Sequence, residues 1–163
     1  MSHDVIDPLA RAPVPDSASA EILDASGTAP AMPAAAVAPV TLFVCTTCKA
    51  ADAAPEATPA GAVLHEAVQG LAEGDAMLEQ VAVRPVKCLG NCKRGLSAAL
   101  IHRDGWTYVF GDLTSESAED LLTGARLFLT TTDGILPWRG RPDVLKRNMV
   151  ARVPPLNVSP AAS

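Results

Sequence analysis

From Val40 to Cys45 the chain reads VTLFVC, an unbroken run of apolar and β-branched residues that ends at a cysteine. A run so short and so rich in Val, Thr and Phe predicts a buried strand. The segment that follows, KAADAAPEATPAGA, carries Pro55, Pro59 and Gly61 and reads as a loop. From Val63 onward Leu64, Val68 and Leu71 fall at helical spacing, and the pattern runs on to Leu78 across Gly70 and Gly74, which predicts a first helix. VAVRPVKC then alternates Val81, Val83 and Pro85 with Ala82, Arg84 and Val86, the signature of a strand. Pro85 has no N–H to give to a ladder, so this strand is expected at a sheet edge or to end there. SAALIH and WTYVFGDL flank Arg103-Asp104-Gly105, a hairpin signal, with Trp106, Tyr108 and Phe110 on one face by period two. Thr114 or Ser115 can cap a second helix, Glu116, Glu119 and Asp120 suit its N-terminus, and Leu121, Leu122, Ala125, Phe128 and Leu129 form its apolar stripe. The order is β-α-β-β-β-α. An α/β domain with one mixed sheet of about four strands and helices packed on it follows from the need to bury each apolar face.

Composition changes the picture at the N-terminus. Residues 1–40 hold eleven Ala, six Pro and no aromatic residue, too little apolar side chain to offset the entropy of ordering. Residues 1–39 are therefore expected to be a disordered tail, with the folded domain over 40–132. The tail has five acidic residues against one Arg and no apolar core behind a basic start, so it does not read as a secretory or mitochondrial signal. No stretch approaches the roughly 18 apolar residues of a membrane span, and the expected location is the cytoplasm. Of the formal charge of -5, four units belong to that tail. The rest of the chain is nearly neutral, and its charge excludes no class of partner. One basic cluster stands out in the last segment, 133–163: Arg139, Arg141, Lys146, Arg147 and Arg152 against Asp143. It reads as a basic C-terminal extension, either a solvated tail or a dock for an acidic partner or phosphate. Trp138 alone interleaves with it, so nucleic-acid binding is not expected.

The candidate chemistry lies in four cysteines that fall in two close pairs, Cys45 and Cys48 in VCTTC, and Cys88 and Cys92 in KCLGNCKRG, 39 residues later. Each pair stands where a strand runs out into a loop. Two such loops can turn their thiolates toward one point and enclose one tetrahedral metal ion or one cluster. A 2Fe-2S cluster takes one pair per iron, which tolerates unlike spacings. Lys49, Lys87, Lys93 and Arg94 are placed to favour thiolate over thiol, and Gly90 and Gly95 to permit tight turns that bring backbone N–H groups to sulfur. Structural zinc is the alternative, and thiol-disulfide exchange through Cys45 and Cys48 a further one, although Pro55, Pro59 and Gly61 delay the helix that would lower a thiol pKa there. Four buried cysteines acting only as small apolar residues would not be expected to pair in this way. His3, His65 and His102 read as surface or packing residues. No Ser/His/Asp set, phosphate loop or HExxH motif is present, which points to an electron carrier rather than an enzyme.

KCLGNCKRG and the hairpin after it resemble the second half of the thioredoxin-like 2Fe-2S ferredoxins, which share a C-L-G-x-C loop, a glycine and two strands ending in an aromatic-rich segment. The resemblance implies a thioredoxin-like sheet, a homodimer in many members and one-electron transfer. Members of that family separate their first two cysteines by about ten residues, whereas Cys45 and Cys48 are separated by two. VCTTC, KCLGNCKRG, WTYVFGDL, PWRGRP and the closing ARVPP, over about residues 41–156, resemble more closely a family of predicted metal-binding proteins often encoded beside cobalamin-biosynthesis genes. That resemblance implies metal binding, a bacterial cytoplasm and corrinoid metabolism. Together they imply a 2Fe-2S cluster on Cys45, Cys48, Cys88 and Cys92 that delivers single electrons to a redox partner protein such as a corrinoid-pathway enzyme. A zinc- or cobalt-holding protein and a thiol-disulfide oxidoreductase are the alternatives.

Overall fold

The β-α-β-β-β-α order is present, with two further elements after it. The computed structural model describes residues 38–49, 54 and 56–156. The tail expected over 1–39 lies, as far as residue 37, outside the described residues. In chain order the elements are β1 (Val40–Cys45), α1 (Ala60–Ala72), β2 (Val81–Val86), β3 (Ala98–His102), β4 (Thr107–Phe110), α2 (Ala118–Leu129), α3 (Asp143–Arg147) and β5 (Met149–Val153). The strands form one sheet in the order β2-β1-β3-β4-β5, with β1 and β2 parallel and every other pair antiparallel. A parallel pair needs a crossover, which α1 supplies. A βαβ unit followed by an antiparallel hairpin and a helix is the thioredoxin-like α/β arrangement the sequence implied, and β2 with Pro85 is indeed an edge strand.

The core lies between the sheet and its helices. Leu42, Leu100 and Tyr108 stand side by side across β1, β3 and β4, all fully buried. Leu64 and Val68 of α1 and Leu121, Leu122, Ala125 and Phe128 of α2 cover that face, with Leu145 of α3 set against Leu100 at the position of Gly124. Phe110 stacks on Tyr108, and Phe128 meets the Tyr108 ring edge-on. The expected α2 start is the observed one: Thr114 and Ser117 form a capping box over a 3-10 turn, Ser115–Ser117, that leads into the helix.

Two expectations are corrected. The first helix begins earlier and ends sooner than the pattern from Val63 to Leu78 suggested. Pro59 presets the first turn and α1 stops at Ala72, because the chain turns at Gly74-Asp75, where the Asp75 carboxylate accepts the Met77 N–H at 2.8 Å. Leu71 consequently points to solvent at 47% exposure, and Leu78 reaches the core from a separate 3-10 turn, Leu78–Gln80. The sheet has five strands, not about four. Part of the segment read as a basic C-terminal extension forms α3 and then β5, which pairs with β4 along the far edge. At the other end of the sheet Cys45 leaves β1 opposite Val86 of β2, and Ala98 of β3 stands opposite Val44. Three chain segments therefore meet at one corner, and all four cysteines lie on them.

Candidate metal centre

The first cysteine loop is tied to both neighbouring segments. Cys45 is the last residue of β1, and its N–H donates to Ser97 O at 2.9 Å. The Thr46 N–H donates to Val86 O at 2.8 Å and the Thr47 hydroxyl donates to Lys87 O, which fastens the loop to the end of β2. From the other side the Gly61 N–H of α1 donates to Cys48 O at 2.9 Å. A Cβ on Gly61 would stand 2.0 Å from Cys45 O, so only glycine lets the helix come this close. The outcome is a buried dithiol. Cys45 is 2% and Cys48 8% exposed, and the Cys48 thiol donates to Cys45 Sγ at 3.1 Å. The Cys45 thiol in turn donates to Lys87 O at 3.5 Å, the carbonyl just before Cys88.

The second loop leaves the edge strand and faces solvent. Cys88 and Cys92 are both exposed. Gly90, at φ +72°, takes the left-handed turn and its N–H donates to Cys88 Sγ at 3.2 Å. The other left-handed turn expected at a glycine falls one residue later than Gly95, on Leu96 at φ 44°. Such a conformation costs energy for a leucine and holds only where neighbours enforce it. Here Leu96 O accepts the Leu113 N–H at 3.2 Å, while Asn91 Nδ2 donates to Ser97 Oγ at 3.0 Å. Beyond the loop Arg94 pairs with Asp112 at 2.7 Å, and the Asp112 N–H donates to Arg94 O at 2.9 Å.

These surroundings divide the thiols. Burial pushes Cys45 up, but the hydrogen bond from Cys48 and those from the backbone N–H groups of Thr47 and Leu89 outweigh it and hold its pKa below the usual thiol value. Burial, and then the bond Cys48 gives to Cys45, push Cys48 up to about 11, against the pull of backbone N–H groups of Ser97 and Leu96. Cys92 is raised by its contact with Cys88, then by the Cys88 charge, by burial and by the Cys45 charge. The Cys45 charge thus reaches Cys92 across the two loops. Backbone amides at Thr47, Leu89, Leu96 and Ser97 supply the polarity that the sequence assigned to lysine and arginine neighbours. Of those amides none was legible from residue type; the glycine beside the second pair was the only signal.

As they stand, the described residues include no group of three or more His, Cys, Asp or Glu side chains gathered to hold a metal ion. Cys45 and Cys48 are together, and Cys88 and Cys92 are together. His65 lies in α1 with its Nε2 buried and unpaired, His102 packs on Phe128 at 5.3 Å, and His3 is outside the described residues. The basic cluster near the C-terminus also divides: Lys146 and Arg147 pair with Asp143, Arg152 lies over the Trp106 ring at 4.5 Å, and Arg141 is buried. No helix among the described residues is long and apolar enough to cross a membrane.

Among solved structures, a thioredoxin-like 2Fe-2S ferredoxin from Aquifex aeolicus is similar to this chain, with a TM-score of 0.48 and 16% identity over 74% of this chain and 97% of that one. A crystal structure of the wild-type thioredoxin-like 2Fe-2S ferredoxin from Aquifex aeolicus gives 0.46 and 17%, over 69% and 96%. No curated protein matches the chain. A family model described as protein of unknown function, DUF1636, matches residues 42–155, and the chain belongs to that family.

Proposed function

We propose that this protein carries a 2Fe-2S cluster on Cys45, Cys48, Cys88 and Cys92 and works in electron transfer. The observation that carries the reading is the meeting of two dithiol loops at one corner of the sheet, with backbone N–H groups directed at their sulfurs. The donor set suits such a group. It is all sulfur, it comes in two pairs, and amide N–H groups at Thr47, Leu89, Leu96, Ser97, Gly90 and Cys92 stabilise negative charge on all four. When bound, the cluster supplies one-electron transfer. The chain holds Cys45 and Cys48 in place through Gly61, Thr46 and Thr47, and keeps water from them. The exposed loop of Cys88 and Cys92 completes the enclosure and leaves the centre near the surface, where a partner can approach. The resemblance of VCTTC, KCLGNCKRG and PWRGRP suggests a cytoplasmic redox partner, a corrinoid-pathway enzyme, and a homodimeric carrier.

The close contact of Cys45 with Cys48, at 3.1 Å and with divided proton affinities, favours a second reading, thiol-disulfide exchange. Against it stands the burial of Cys45, since an attacking thiolate must be reached. The same four sulfurs also suit a zinc or cobalt ion. Single Cys88→Ser and Cys92→Ser substitutions separate these readings. Each is expected to bleach protein purified without oxygen. Full colour in both variants defeats the ligand assignment, and an uncoloured wild type with reversible Cys45–Cys48 oxidation moves the function to dithiol chemistry.

A further inference from the structure

Away from the cysteines, the end of α2 and the loop after it lie over β4 and β5 and leave a groove of about 640 Å³. That is within the size of sites for small molecules, roughly 300–1,000 Å³. Its floor is Tyr108, whose hydroxyl oxygen accepts the Leu136 N–H at 3.1 Å and so fixes the loop. On this floor lies Arg141, 6% exposed, its guanidinium 5.4 Å from the Tyr108 ring centre and 5.5 Å from that of Trp138. Nε donates to Pro137 O at 3.1 Å and Nη2 donates to Leu136 O, and the Tyr108 hydroxyl is a further hydrogen-bond partner of the guanidinium.

No carboxylate among the described residues pairs with this buried cation. A buried charge is normally paired, because desolvation otherwise opposes it. Burial pulls the Arg141 pKa down; Tyr108, its hydrogen-bond partner, pushes it back up, and the Arg152 charge lowers it again. Arg152 stands opposite Tyr108 in the β4–β5 register and lines the same groove. Asp133 lines it too, but its Oδ1 accepts the Ile135 N–H of its own loop at 2.9 Å. Two guanidinium groups, neither in an ion pair among the described residues, thus share a concave site with Asp133, Trp138, 65% exposed, and Met149.

We propose that this groove binds a small organic anion, with its carboxylate or phosphate on Arg141 and Arg152 and its apolar body against Trp138 and Met149. The N–H groups of Arg141 beyond those given to Pro137 and Leu136, and the arginine beside it, supply the charge-assisted donors such an oxyanion requires. The apolar wall supplies the area that a free inorganic ion cannot use. Burial of Arg141 in a groove, with the exposed Arg152 lining it and not a flat basic face, suits a small molecule better than an acidic protein. The site shares no residue with the cysteine loops, so it stands or falls independently of the metal centre.

The test is titration of the full chain with benzoate, 1-naphthoate and inorganic phosphate, followed by indole fluorescence and by the shift in melting temperature. At least one of these is expected to bind saturably, the aryl carboxylates identifying a carboxylate ligand and phosphate alone a phosphorylated one. Arg152→Gln should weaken that binding roughly tenfold, as loss of a charge-assisted contact does, while Arg84→Gln on the opposite edge strand leaves it unchanged. Arg141→Lys should weaken it further if the variant folds; Arg152→Gln carries the test if it does not. Absence of saturable binding by all three probes, or equal binding by Arg152→Gln and the wild type, overturns the proposal. Tighter binding of a poly-glutamate peptide than of any small anion also overturns it, in favour of protein docking.

Discussion

Cys45 and Cys48 are buried at the end of the central strand β1, whereas Cys88 and Cys92 stand in solvent beyond the end of the edge strand β2. The two pairs share a residue type and differ in what surrounds them. A loop leaving a central strand is hemmed in on both sides, here by the β2 end and the turn into β3, and α1 closes it from above. A loop leaving an edge strand has a neighbour on one side only. Its anchors are the left-handed Gly90, the 3-10 turn Cys92–Arg94, the Asn91 amide and the contacts of Arg94 with Asp112. The first pair is part of the fold, and the second lies at the surface.

The largest effect expected from breaking this difference is at Gly61. Gly61→Ala places a methyl group where Cys45 O lies 2.0 Å away, and backbone must move. Overpacking of this kind costs about 1–3 kcal/mol. Chemical unfolding should show that loss, together with a fall in metal content, and an unchanged midpoint would contradict the role given to α1. Next in size is the contrast between Cys48→Ser and Cys92→Ser in metal-free protein. The buried substitution should cost about 1–2 kcal/mol by placing a more polar hydroxyl in the core, and the exposed one about 0.5 kcal/mol or less. Equal losses would erase the distinction between the loops. Third, iodoacetamide should modify Cys88 and Cys92 roughly tenfold or more faster than Cys45 and Cys48 in the metal-free chain, read by peptide mass spectrometry, because access limits the buried pair. Least is expected of Arg94→Ala, which removes a half-exposed ion pair with Asp112. Such pairs contribute about 0.2–1 kcal/mol, so melting should barely change; a large drop would show that the second loop is anchored more firmly than its exposure suggests.

Much of the architecture was legible because local and tertiary demands agree. In β1 and β4 period-two burial follows the residue pattern, and the Asp104-Gly105 turn and the Thr114–Ser117 box mark where elements change. Legibility failed where context overrides composition. Every residue of β5 is exposed, so Met149–Val153 has no buried face to write an alternation into its sequence. Arg141 reads as one more surface cation in a basic run, yet Tyr108 and Trp138, distant or unremarkable in the sequence, bury it. The cysteine spacing announced two pairs. It did not announce their unequal burial, which depends on strand order, nor the strained Leu96, which is set by its hydrogen bonds and not by its side chain.

The central claim is that both pairs hold one iron-sulfur centre. Purification without oxygen, a visible absorption spectrum, and iron, acid-labile sulfide, zinc and cobalt counts per chain test it most directly. The account predicts a brown protein with about two irons and two sulfides per chain. A colourless protein holding one zinc or cobalt ion, or no metal at all, would contradict it.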